Sequence, residues 1–171
     1  MAVYMISDLH LGHRSILKYR PDLNLSTVDE HDDFIVDNIL STVSKRDKLY
    51  LLGDVCFSHE TVPKLKLITD YVESCALILG NHDLESNARP SIHTLYELFG
   101  KNIFGMQSYK SCWLTHGPLH EDELRGKFNI HGHVHSHSLS DPKYYNVSCE
   151  AVNYKPMEFT KILEYLKDVN K

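Results

Sequence analysis

Five apolar stretches of this 171-residue chain each break off into a short cluster of Asp, Asn, His and Gly. The clusters read Asp8-Leu9-His10-Leu11-Gly12, Gly53-Asp54-Val55, Gly80-Asn81-His82-Asp83, Thr115-His116-Gly117 and His131-Gly132-His133-Val134-His135. Carboxylate and amide oxygens together with imidazole nitrogens form a mixed donor set suited to Mn²⁺, Fe²⁺ or Zn²⁺. A closed tetrahedral site takes four ligands. The clusters offer more than that, so two ions with a shared carboxylate bridge fit the set better than one. Such a centre would be electropositive and would attract a phosphate, although the protein as a whole is acidic. The chain holds 12 histidines, where a usage of roughly 2% would give about four, and histidine is the commonest metal ligand. Each cluster alone is weak, because a Gly-Asp after a strand is usually a turn and an Asp-x-His is usually surface polarity. The ordered set is specific, since chance would have to supply every cluster in turn.

The elements that must position these residues follow from the apolar pattern. Val3 to Ile6, Leu49 to Leu52 and Cys75 to Leu79 read as buried strands. Thr27-Val28-Asp29-Glu30 has capping-box form, and Val28, Ile35, Ile39 and Val43 recur at helical spacing after it. Helices are also expected from Glu60 to Val72, with Pro63 in the first turn, and from Ser91 to Phe99, stopped by Gly100. The second half reads as strands at Ser108 to Thr115, Lys127 to Ile130 and Tyr144 to Val152, closed by a helix from Glu158 to Val169. The change from βαβαβ to consecutive strands implies an α/β fold with two sheets. Ligands in open α/β sheets gather outside the carboxyl ends of the strands, where the clusters fall.

Composition narrows the alternatives. With 18 Lys+Arg against 23 Asp+Glu the net charge is −5, which argues against general electrostatic coating of nucleic acid. No apolar run reaches the roughly 18–20 residues of a membrane span, and the opening residues lack the plan of a signal peptide. Cys56, Cys75, Cys112 and Cys149 lie far apart with no Cys-x-x-Cys pair. Reduced thiols in the cytoplasm are therefore expected rather than a disulfide framework, and a zinc nucleobase deaminase, which needs that pair, is disfavoured.

In order, Asp8-Leu9-His10, Gly53-Asp54, Gly80-Asn81-His82-Asp83, His116 and Gly132-His133-Val134-His135 match D-x-H, G-D, G-N-H-[DE], H and G-H-x-H. The chain thereby resembles a calcineurin-like metallophosphoesterase along essentially its whole length. Leu11-Gly12-His13-Arg14-Ser15-Ile16 and Asn153-Tyr154-Lys155-Pro156 are similar to a compact subgroup of bacteria and phages. The resemblance implies a two-sheet β-sandwich flanked by helices, formed by residues 1–171 as one domain, without a cap, in a bacterial or phage-infected cytoplasm. It implies that Asp8, His10 and His135 hold one divalent metal and Asn81, His116 and His133 the second, with Asp54 bridging. Mn²⁺ is the foremost choice; Fe²⁺, Zn²⁺ or Ni²⁺ fit the same donors. His82 would be the catalytic histidine beside the leaving oxygen, and Asp83 would orient it.

Two such ions would make water nucleophilic near neutral pH and neutralise the phosphoryl oxygens, while His82 would supply a proton to the leaving group. Arg14, Arg20, Arg125 and Lys127 are candidates for holding substrate phosphate, weighed against solvated surface charge. His13 and His131 are expected to orient ligands, His137 to lie further out, and Cys56 to be a small buried filler. Hydrolysis of small or nucleotide-derived phosphodiesters, including a short nucleic-acid strand, is the expected activity. A phosphomonoesterase on the same site is the alternative, and a non-catalytic binding scaffold is a third reading. Scaffold members usually lose ligands, whereas every expected one is present.

Overall fold

In the computed structural model, which describes residues 1–170, the chain alternates strand and helix before turning strand-rich. The first half contains β1 (Val3–Ile6), α1 (Ile16–Tyr19), α2 (Val28–Thr42), β2 (Lys48–Leu51), α3 (Val62–Tyr71), β3 (Ser74–Ile78) and α4 (Ile92–Phe99). There follow β4 (Ile103–Phe104), β5 (Gln107–Tyr109), β6 (Cys112–Leu114), β7 (Phe128–His131), β8 (Tyr144–Asn146), β9 (Met157–Glu158) and α5 (Phe159–Val169). One sheet has the order β4-β3-β2-β1-β9, parallel except for β9. The other has the order β5-β6-β7-β8, parallel except for β5. Helices flank the sheets, as expected, and one apolar core joins Met5, Leu49 and Leu77 of the first sheet to Cys112, Leu114 and Ile130 of the second. No helix among the described residues is long and apolar enough to cross a membrane.

Local chemistry explains the helix boundaries. The Thr27 hydroxyl accepts from the Glu30 amide, and the Glu30 carboxylate accepts from the Thr27 amide, both at 3.1 Å. This reciprocal cap is worth about 1 kcal/mol. Ile35, Val36 and Ile39 of α2 then bury against the sheet. Ser91 caps α4, and Gly100, with φ of 58°, ends it by donating its amide to Tyr96 O at 2.8 Å. The segment expected as a helix from Glu60 opens instead as one 3₁₀ turn, His59–Thr61, before α3 begins.

Two long strands expected in the second half are shorter. Ser108 to Thr115 is a hairpin, β5 and β6, folded at Lys110, whose φ is 50°. Tyr144 to Val152 stays extended only to Asn146. The Asn146 side chain accepts from the Ser148 amide and hydroxyl and so turns the chain. Ser148 next makes a parallel bridge with Ser7, where Ser7 N donates to Val147 O at 2.9 Å and Cys149 N to Ser7 O at 3.0 Å. This bridge ties the two sheets together at the strand ends that carry the polar clusters.

Candidate metal centre

Beyond each strand the backbone pairing continues into the cluster. Asp8 N donates to Gly53 O and His10 N to Asp54 O, both at 3.0 Å, and Gly132 N donates to His116 O at 2.8 Å. The ladder carries Asp8, His10, Asp54, His133 and His135 in left-handed backbone, with φ between 53° and 71°. Side chains with a Cβ adopt that region at a cost of roughly 1–3 kcal/mol each, and such residues collect at functional sites. Close approach also explains two glycines. A Cβ on Gly80 would strike Asp54 Oδ1 and the Asp54 amide nitrogen, and one on Gly132 would strike Ser7 Oγ and Asp8 Oδ2.

The geometry collects two groups of donors. Asp8, His10 and His135 offer ligand atoms all within 4.8 Å of one another, as do Asp54, His116 and His133. Asn81 Oδ1 lies 3.0 Å from His116 Nε2, which joins it to the second group. His116 Nε2 also lies 3.2 Å from Asp54 Oδ2 and 3.2 Å from His133 Nδ1. The His133 amide donates to Asp8 Oδ2 at 2.9 Å, linking the groups. Asp8 Oδ1 and His10 Nε2 are buried without a hydrogen-bond partner, a costly arrangement unless something else satisfies them. His116 Nδ1 contacts Leu52 O at 2.7 Å, leaving Nε2 to face the other donors. These features fit a pair of divalent ions.

Electrostatics agree. Burial works against the charged forms, yet the contact with Asp54 and the charges of Asp8 and Asp54 raise the pKa of His116 to about 9. Burial likewise opposes ionisation of Asp8, but His10 and the charge of His116 hold its carboxyl well below the usual range. The pocket therefore draws positive charge.

His82 and Asp83 part company in the structure. Asp83 accepts from the amides of Gly80 at 2.7 Å, Val55 at 2.9 Å and Asp54 at 3.1 Å. It thus shapes the loops rather than the His82 ring. The partner of that ring is Glu85, whose Oε2 lies 2.6 Å from His82 Nδ1. The His82 amide donates to Asp54 Oδ1 at 2.9 Å. Glu85 was not singled out in the sequence, where its only signal is its place three residues after His82.

The basic residues are redistributed as well. Arg20 is fully buried and cannot clamp a substrate: its Nη2 donates to Asp8 O at 2.7 Å and its Nε to Glu150 Oε1 at 2.7 Å. Arg14 is exposed. Arg125 is paired with Glu123 at 2.9 Å, and Lys127 lies over the Trp113 ring and bonds the Ser108 hydroxyl. None of these three lines the cleft of about 530 Å³ beside the centre, which His10, His13, Tyr19, His82, His135 and Glu150 help to form. Arg89, not singled out in the sequence, stacks 3.8 Å over Phe57 and lies 3.5 Å from Glu85, the partner of His82. His13 Nδ1 lies 3.1 Å from His10 Nδ1, His131 is buried with Nδ1 at Gly132 O, and His137 is exposed. The Cys56 thiol is buried, its pKa raised by that burial, and all four cysteines are free.

A two-sheet α/β fold with paired donor groups at its strand ends defines a metal-dependent phosphoesterase. The chain belongs to the calcineurin-like phosphoesterase family, which it matches over residues 1–169. That family generally uses a dinuclear divalent metal centre. An uncharacterized protein of Methanocaldococcus jannaschii is 29% identical over 96% of this chain and 91% of its own length. The gene 66 protein of Mycobacterium phage L5 is 29% identical over 78% of this chain and 77% of its own. A crystal structure of a protein of unknown function from Aquifex aeolicus shares the fold, with a TM-score of 0.75 and 23% identity, covering 95% of this chain and 98% of that one.

Proposed function

We propose that the protein hydrolyses phosphodiesters of small or nucleotide-derived compounds, with Mn²⁺ as the foremost metal. The observation that carries this reading is the adjacency of the two donor groups beside an imidazole, His82, that neither group uses. In this reading Asp8, His10 and His135 hold one ion, Asn81, His116 and His133 the other, and Asp54 lies between. Two divalent ions bound there would supply Lewis acidity at the phosphoryl group and lower the pKa of water into the neutral range. Glu85 on Nδ1 of His82 leaves Nε2 to meet the leaving oxygen and give it a proton. Arg89, held against Phe57 and Glu85, keeps that pair from turning away.

The connections between clusters are short, which supports one uncapped domain. Tyr19, 70% exposed, stacks with His13 at 6.2 Å between ring centroids, and His13 stacks with Phe57 at 4.5 Å. This aromatic wall supports a substrate with a planar group such as a nucleobase. Four buried thiols support a reducing compartment such as the cytoplasm.

The test is turnover of bis-p-nitrophenyl phosphate with Mn²⁺ before and after exhaustive chelation, together with Asp54→Asn. Chelation should abolish activity and Mn²⁺ restore it. The variant should lose most activity and bind at least one ion more weakly while keeping its fold by circular dichroism. Full activity after chelation would overturn the reading.

A further inference from the structure

Buried Arg20 and half-buried Glu150, which also helps to line the cleft, form an ion pair beside the donor group of Asp8, His10 and His135. Every reach of the Arg20 guanidinium ends on a partner. Nε donates to Glu150 Oε1 at 2.7 Å, Nη2 to Asp8 O at 2.7 Å and Nη1 to Leu9 O at 3.3 Å. Nη1 also lies 2.7 Å from His31 Nε2, and His31 Nδ1 lies 2.9 Å from Asp32 Oδ1. An arginine has donors only, so His31 accepts at Nε2 and donates from Nδ1. Asp32 Oδ2 in turn accepts from the Gly12 amide at 2.8 Å. The same logic reaches the metal side. Glu150 Oε1 lies 3.1 Å from His135 Nδ1, and a carboxylate accepts, so the proton of His135 sits on Nδ1 and the lone pair on Nε2.

We propose that the Arg20–Glu150 pair positions Asp8, His10 and His135, the three ligands that belong to one metal site alone. Arg20 grips the carbonyls of Asp8 and Leu9, which flank the left-handed turns at Asp8 and His10 and hold those side chains on target. Glu150 fixes the tautomer and ring plane of His135. Asn81, His116 and His133 receive no hydrogen bond from the pair. The second group meets it only indirectly, through the His133 amide on Asp8 Oδ2 and the backbone pairing of Asp8 and His10 with Gly53 and Asp54, so its effect falls first on one site. The inference rests on the ligand assignment of the proposed function. A buried ion pair kept for stability alone would favour neither site over the other.

The experiment measures Mn²⁺ affinity by chelator competition on the metal-loaded wild type and on Glu150→Gln, which preserves side-chain shape. One ion should bind roughly 10–100-fold more weakly in the variant, the usual effect of removing a carboxylate behind a ligating histidine, and the other should keep its affinity. Both ions bound as in the wild type, or both weakened alike, would overturn the proposal while leaving the metal centre standing. A wild type that loads no pair would overturn the ligand assignment itself and the proposal with it. A measurement free of substitutions accompanies this one: long-range ¹H–¹⁵N correlation of His135 in metal-free wild type at alkaline pH. The proton should be found on Nδ1, and a proton on Nε2 would refute the role of Glu150.

Discussion

His82 touches Asp54 only through its backbone amide, so holding metal and moving a proton are separable at the scale of residues. His82→Ala should therefore keep both ions yet slow turnover by roughly 10²–10⁴-fold, the contribution of a positioned acid. The deficit should shrink for esters with good leaving groups, which need little protonation. A variant that loses an ion in a metal assay would show that the side chain does something else. The donor-rich clusters were legible because each lies close after an apolar run, often beside a glycine that permits close approach, whereas the division of their residues into seven ligands rests on the family resemblance. Asp83 misled because adjacency in sequence favoured it, whereas the turn directs its carboxylate to three backbone amides and leaves Glu85 for the imidazole. Arg20 and Glu150 were beyond reach for a different reason: they meet across 130 positions of chain, and local pattern carries no trace of that contact.

Among the elements, caps were legible and tight turns were not. Thr27 and Ser91 announce α2 and α4 through side-chain chemistry close in sequence, while the hairpin at Lys110 lacks the Gly or Asn that usually marks a left-handed turn. The same local chemistry makes Asp47 a stabilising tie. Its carboxylate accepts from the Ala2 amide at 2.7 Å and from the Ser44 amide and hydroxyl at 2.9 and 2.7 Å, joining the start of β1 to the turn before β2. These donors hold its pKa below the usual carboxylate value. A folded-state pKa below the unfolded one means that the stabilisation is present above the unfolded pKa and is lost as pH falls through the folded one. Asp47→Ala should lower Tm by roughly 2–4 °C at neutral pH, the scale of a small hydrogen-bond loss in a domain of this size. The gap to wild type should close in strong acid. An unchanged gap across the pH range, read by thermal melts, would show that the ionised carboxylate is not the source.

At the scale of the whole molecule, a net charge of −5 surrounds a centre built to gather cations. Salt screens exposed charges beyond about 10 Å at 0.1 M, so a small anionic substrate meets the local field of the loaded centre rather than the average charge of the protein. A long duplex, which would lie against much more surface, gains less and meets repulsion. Arg14 stands apart from the cleft, and Arg125 and Lys127 are held by Glu123 and by Ser108 and Trp113, so little basic rim is left to offset that repulsion. The cleft itself has one wall of aromatic rings, His13 and Tyr19, and the donor groups at its side. In the proposed reading, a diester would place one substituent along such a wall while its leaving oxygen faced His82. A monoester has an additional ionised oxygen and would profit from a fixed cation near the phosphate. Arg89, beside the His82–Glu85 pair, is outside the residues that line the cleft and directs Nη1 to Phe57 O and Nη2 towards Glu85. At equal Mn²⁺, kcat/KM should accordingly be higher for bis-p-nitrophenyl phosphate than for p-nitrophenyl phosphate, and nucleotide diesters should exceed simple alkyl ones through stacking on Tyr19. Tyr19→Ala should then raise KM for nucleotide diesters roughly five- to thirtyfold, the range that loss of about 1–2 kcal/mol of stacking gives, with metal content unchanged. A clear preference for the monoester would turn the assignment to a phosphatase, and an unchanged KM in the variant would remove the aromatic wall from the account of specificity.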